Sequence, residues 1–193
     1  NQAEADVALQ LIQHLAEQQP AMLKGGVFII TPFTSMKKEL IRAWNRIAKD
    51  ECNHAWMMQA FGKAAANKKI ADFCNDHIGT VHTFQGKEAS TVIFCAAASE
   101  VRKKAGGIKW VNSKPNLLNV AVTRAKAHLF VLGNKNDWAL GTLSSELQNG
   151  AMHYYESFEQ LTQQQTIQYD RIEKQLLNLE LAAPKATGFY FGD

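Results

Sequence analysis

Three short stretches of the chain are apolar without alternation: VFIIT (Val27 to Thr31), TVIFCAA (Thr91 to Ala97) and HLFVLG (His128 to Gly133). Unbroken runs of β-branched and aromatic residues mark strands covered on both faces, the pattern of a parallel sheet. IGTVH, around Ile78 to His82, reads as a weaker fourth strand. The segments between follow a helical period. NQAEADVALQLIQHLAEQQP reads as an amphipathic helix. SMKKELIRAWNRIAKDE, with Ser35 as its expected N-cap, has apolar residues at Leu40, Ile41, Trp44, Ile47 and Ala48. PNLLNVAVTRAK opens on Pro115, which suits a first helical turn. Strands alternating with helices predict a doubly wound α/β domain with a mostly parallel sheet and helices on both faces.

The pattern changes after Asn134. NDWALGTLSSEL reads as a short capped helix, and a glutamine-rich helical pattern runs from about Tyr154 to Leu181, anchored by Phe158, Leu161, Ile172, Leu176 and Leu179. The expected division is an α/β domain over 1–140 and a C-terminal helical extension over 141–193. The extension reads as a cover for the domain or as a partner-docking arm, and the aromatics of its tail, GFYFGD, look exposed. The chain opens without an initiator Met, so it is expected to be a segment of a longer protein.

Composition narrows the class. The 193 residues can bury an ordinary core, and 46% apolar with 20% charged residues is the balance of a soluble globular protein. No run of about 18 apolar residues and no signal-peptide pattern occurs, which argues against a membrane partner. Cys52, Cys74 and Cys95 are scattered and odd in number, which fits a reducing, cytoplasmic setting better than disulfides. Cys52 and His54 lie close, but no second ligand pair follows, so no metal site is expected. The net charge of +3 is mild, whereas its distribution is not. VRKKAGGIKWVNSK, from Val101 to Lys114, holds Arg102, Lys103, Lys104, Lys109 and Lys114 without an acid, and Trp110 stands among them. Such a segment suits a phosphate backbone with a base to stack, or is a solvated loop with Trp110 turned inward.

Two further stretches carry dense chemistry. TVHTFQGKEA, from Thr80 to Ala89, sets polar groups between two strands where a plain turn would serve. Gly86 permits a turn that other residues resist, Glu88 accepts hydrogen bonds, and Gln85 both donates and accepts. Thr80, His82 and Thr83 supply small donors suited to phosphate oxygens. In NLLNVAVTRAKAHLFVLGN, a helical wheel gathers Asn116, Asn119, Thr123 and Lys126 on the polar face. Arg124 falls beside Leu117 and Val120 on the apolar side. An arginine held there presents a fixed guanidinium fork, or its stem snorkels while its head pairs with a carboxylate.

GTVHTFQGKEASTVIF resembles motif V and its extension in superfamily 1 helicases. NLLNVAVTRAKAHLFVLGN resembles their motif VI, and VFIITPFTSMKKEL is similar to the motif IV region, I-T-P-Y/F followed by a helix. The resemblance covers roughly Val27 to Trp138, with the motifs in family order, and points to the branch of the nonsense-mediated-decay and flap-processing helicases. It implies the second, C-terminal RecA-like domain of an ATP-dependent helicase, inactive without the first. ATP and Mg²⁺ would lie mainly on an N-terminal RecA-like domain of the same chain, and single-stranded DNA or RNA would cross the top. By the same resemblance Arg124 matches the arginine finger. Gly86, Lys87 and Glu88 match the extension that approaches ribose and phosphates, and Thr80, His82 and Thr83, with Thr31, match backbone-contacting positions. Gln85 stands between the two groups and would couple them. Lys103, Lys104 and Trp110 of the basic segment would add to the nucleic-acid contact.

No G-x-x-x-x-G-K-[ST] occurs, and no strand ends in Asp-Glu, so the phosphate loop and the Mg²⁺ site are expected elsewhere. A non-catalytic nucleic-acid-binding module of a helicase-like protein is the alternative. A Rossmann-type enzyme lacks its G-x-G-x-x-G fingerprint here.

Overall fold

The sheet is built from the apolar runs, but it is wider than they foretell. In the computed structural model, residues 2–61, 70–97, 110–111, 113–133, 153–155, 159–160 and 186–191 are described. Helices are α1 (Gln2–Gln18), α2 (Thr34–Ile47), α3 (His54–Phe61), α4 (Ile70–His77) and α5 (Pro115–Thr123). Strands are β1 (Val27–Thr31), β2 (Ile78–Thr80), β3 (Ala89–Cys95), β4 (Ala125–Gly133), β5 (His153–Tyr155) and β6 (Ala186–Phe191). A 3₁₀ turn, Val81–Phe84, links β2 to β3. The strands lie in the order β2-β1-β3-β4-β6-β5, and every pairing is parallel. This is the α/β, RecA-like architecture expected.

Residues alternate between two cores, as the pleat requires. Val27 and Ile29 of β1, Ile93 and Cys95 of β3, and Phe130 and Leu132 of β4 pack with α1, α2 and α3. Leu11, Ile12, Leu15, Leu40, Trp44 and Trp56 fill that side. Ile30, Val92, Phe94, Leu129 and Val131 turn the other way, onto Phe84, Leu117 and Ala121. Burying one such side chain contributes about 1.5–3 kcal/mol, so among the described residues the broader first core carries more of the stability.

The connection from β1 to β2 runs through α2, α3 and α4, whereas that from β3 to β4 runs through α5 on the opposite side. Winding therefore reverses between β1 and β3, the place where open α/β sheets leave a crevice at the strands' carboxyl ends. The backbone there is locally special. Ala97, just past β3, is buried with φ 54°, and its N–H donates to Glu4 Oε1 at 2.7 Å. A non-glycine residue in that region is uncommon, and the carboxylate from α1 helps to hold it.

Several boundaries differ from the sequence reading. Ser35 is not the N-cap of α2. Phe33 takes that position, extended at φ −117°, with no side-chain cap. Its N–H donates to Thr31 Oγ1 at 3.4 Å, which ties the entry of the helix to the end of β1. Strand β4 begins at Ala125 rather than His128, because Ala89 already pairs with Ala125. The sheet does not end near residue 140, since β6 pairs with β4 and β5 with β6. GFYF of the tail lies within β6. Tyr154 and Tyr155 are strand rather than helix. The short helix expected over NDWALGTLSSEL lies outside the described residues, as does most of the glutamine-rich segment.

Candidate functional site

The connection from β2 to β3 is a crossover of one short turn and a loop. Thr80 stands level with Thr31 at the carboxyl end of β1, whereas Ala89 lies ahead of Val27, because Val27 pairs with Thr91. The segment between must therefore travel the length of β1 across the sheet. Phe84 pins it there. Its ring is fully buried and stacks on Phe28 with centroids 4.2 Å apart.

The first end of this crossover is fixed by its own side chains. Thr83 Oγ1 accepts from the Thr80 N–H at 3.2 Å, and the two hydroxyls lie 3.3 Å apart, a reciprocal cap on the 3₁₀ turn. Gly79 makes the close approach possible, since a Cβ there would come within 2.6 Å of Thr83 Cβ. His82 is exposed beside this cap. Thr31, expected to meet a strand of nucleic acid, is fully buried, so its part here is to hold Phe33. Trp110 is exposed at 44%, with its ring 6.2 Å from that of Phe33. The inward-turned reading of Trp110 is thus set aside. Lys103 and Lys104 lie outside the described residues.

The second end sits at the opposite, amino edge of the sheet. Gln85, Gly86, Lys87 and Glu88 are exposed there, and Gly86 turns the chain at φ +81° with open space around it. Arg124 caps α5 immediately before β4. Its guanidinium donates from Nε to the Val120 carbonyl (3.2 Å), from Nη1 to the Lys87 carbonyl (3.2 Å) and from Nη2 to Thr123 Oγ1 (3.1 Å). Among the described residues no carboxylate pairs with it. The fork is thus oriented by neutral oxygens and keeps its charge uncompensated, the state in which a cation attracts an anionic ligand. Glu88 Oε2 meets Lys126 Nζ at 3.2 Å on the same edge.

The structure therefore brings Arg124, Lys87 and Glu88 together and separates them from Thr80, His82, Thr83 and Trp110 by the length of β1. Open α/β sheets carry their functional loops beyond the carboxyl ends of the strands, and only the first half of the crossover lies there. Sequence reading missed Glu4 and Lys126. The first signals itself only as an acid in an opening helical turn, and the second only once Ala89 is known to pair with Ala125. His54 Nε2 lies 3.1 Å from the Ala48 carbonyl, and no group of three or more potential metal ligands occurs among the described residues.

A family model described as an AAA domain matches residues 1–136. The chain belongs to this family. The chain is 37% identical to Regulator of nonsense transcripts 1 of Caenorhabditis elegans over 122 residues, which is 63% of the chain and 10% of that protein. It is 43% identical to the Putative ATP-dependent RNA helicase ECM32 of Saccharomyces cerevisiae over 60 residues, 31% of the chain and 5% of that protein. These relatives agree with the superfamily 1 branch that the motifs resemble. The chain thus spans a tenth or less of the curated relatives it matches.

Proposed function

We propose that this chain is the C-terminal motor domain of an ATP-dependent superfamily 1 helicase. On this reading Arg124 is its arginine finger and the two ends of the 80–88 crossover serve two ligands. The observation that carries the reading is the uncompensated Arg124 guanidinium, fixed by the Lys87 and Val120 carbonyl oxygens beside exposed Glu88. These groups suit a nucleotide. Arg124 would face the γ-phosphate, the Gly86–Lys87 turn the phosphates, and Glu88 the ribose. ATP with Mg²⁺, bound mainly by an N-terminal RecA-like domain, supplies the transferable phosphoryl group. What this chain adds is positive charge held in place before the reaction begins.

At the carboxyl edge, His82, the Thr80–Thr83 cap and exposed Trp110 would follow a single strand of DNA or RNA, with the ring as a stacking surface. Gln85 opens the amino-edge end directly after buried Phe84, and would couple cleft closure there to the nucleic-acid end through the crossover. A cytoplasmic setting is part of the same reading, and the free, buried thiols of Cys74 and Cys95 support it.

The test is ATP turnover. In the full-length protein, Arg124→Ala should lower kcat by about 10³ to 10⁵, while the 1–193 chain alone should show no turnover. Turnover by the isolated chain that Arg124→Ala leaves untouched would overturn the proposal.

A further inference from the structure

Three consecutive residues of the crossover are tied to the start of β4. Lys87 accepts through its carbonyl oxygen from Arg124 Nη1, and Ala89 donates its N–H to the Arg124 carbonyl at 3.0 Å. Between them, Glu88 Oε2 pairs with Lys126 Nζ. The first two contacts fix backbone, and the third fixes a side chain. That side chain is the carboxylate turned toward the sugar in the proposed function, and nothing so far gives Lys126 a part in it.

The pair is largely exposed, with 62% of the lysine and 51% of the glutamate side chain open to solvent. An exposed ion pair contributes little to stability, so its consequence is orientation. A carboxylate offers two oxygens and about four lone-pair directions. Lys126 engages Oε2 and leaves Oε1 to accept from a hydroxyl. Lys126 lies within β4, next to Ala125, which pairs with Ala89, so its ammonium comes from a strand, whereas the Glu88 side chain, exposed between two tied residues, would otherwise turn among several rotamers.

We propose that Lys126 is a positioning residue for nucleotide selection. Its ammonium holds Glu88 so that the second carboxylate oxygen accepts from a sugar hydroxyl, and the domain thereby favours ribose over deoxyribose nucleotides. This rests on the reading of Glu88 as the ribose-facing group.

The experiment measures kcat and KM of the full-length helicase for ATP, 2′-deoxy-ATP and 3′-deoxy-ATP. The variants compared are Glu88→Ala, Lys126→Ala and Lys126→Arg. Glu88→Ala should reduce the preference for ATP by about tenfold, the loss of one charge-assisted hydrogen bond. Lys126→Ala should reduce it by up to about fivefold, the range of an exposed ion pair, with the change in KM for ATP. Lys126→Arg should restore it. A wild-type protein without such preference, or Glu88→Ala leaving it intact, overturns the reading of Glu88. If Glu88→Ala abolishes the preference and Lys126→Ala does not change it, the inference about Lys126 alone is wrong. A KM raised equally for all three nucleotides makes Lys126 a simple phosphate contact and also overturns it.

Discussion

The two faces of the sheet are covered in different ways. On one, α1, α2 and α3 stack a broad apolar layer, with Trp44 edge-on to Trp56 and Phe61 at centroid distances of 6.2 and 5.5 Å. On the other, the described cover is one 3₁₀ turn and α5, held chiefly by Phe84, Leu117 and Ala121. The crossover and α5, which carry Lys87, Glu88 and Arg124 of the proposed nucleotide edge, both lie on this thinner side. Dense packing makes the first face a support that resists change. Among the described residues the second has fewer contacts to lose, so small displacements of its crossover cost less and can be driven by a ligand.

Truncation should separate the two most clearly. Trp44→Ala on the broad face should cost about 3–5 kcal/mol of stability in urea unfolding. Where the variant is still folded, single-strand binding and ATP turnover of the full-length protein should change little. Phe84→Ala should cost a similar amount of stability by the same measurement, and it should also weaken single-strand binding, because the ring pins the crossover to Phe28. Equal functional losses in the two variants would show that the faces are not specialised.

A smaller effect comes from adding one methyl group. Gly79→Ala puts a Cβ 2.6 Å from Thr83 Cβ and 2.8 Å from Phe84 Cε2. Overpacking of this kind costs about 1–3 kcal/mol, and relief requires the 3₁₀ turn to lift from β2. Single-strand binding should therefore fall more than ATP binding, since the Thr80–Thr83 cap lies at the end that moves. A variant as stable as the wild type in thermal unfolding would mean that the thin face has more slack than its contacts imply.

Much of this frame is legible in the sequence, because the responsible forces are local. VFIIT, TVIFCAA and HLFVLG declare buried strands by composition, and Pro115 announces α5. Arg124 stands out because it occupies an apolar sector of the helical wheel. What could not be read depends on pairing between distant residues. The opposite placement of Thr80 and Glu88 follows from the register of β1 with both β2 and β3. Thr31 matches a backbone-contacting position by resemblance, yet its strand lies inside the sheet and its side chain is fully buried. The tail GFYF carries no hint in the sequence of which strand will receive it, and β4 does. Glu4 likewise looks like an ordinary first-turn acid until its carboxylate is seen to accept from the Ala97 N–H, far away in the chain.

The broad face also carries the weakest and most specific of the expected effects, a dependence on pH. His128, on the same side of β4 as Phe130 and Leu132, has its Nδ1 buried without a hydrogen-bond partner among the described residues. Burial pushes its pKa below the ordinary value of 6.5. His14 of α1 is lowered in the same direction by burial, against an opposing pull from Glu17. A base held neutral by the fold binds its proton more readily in the unfolded chain, so unfolding takes up protons and acid favours it. Above about 6.5 neither state is protonated at these sites and they add no pH dependence. Stability should fall as pH drops through 6.5 toward the lowered native values. Urea midpoints at pH 7.5 and 5.5 should therefore differ more for the wild type than for His128→Asn, with the carboxylates common to both. An equal difference in the two proteins would mean that His128 is not held neutral by its burial, and that this part of the broad face is wetter than its neighbours.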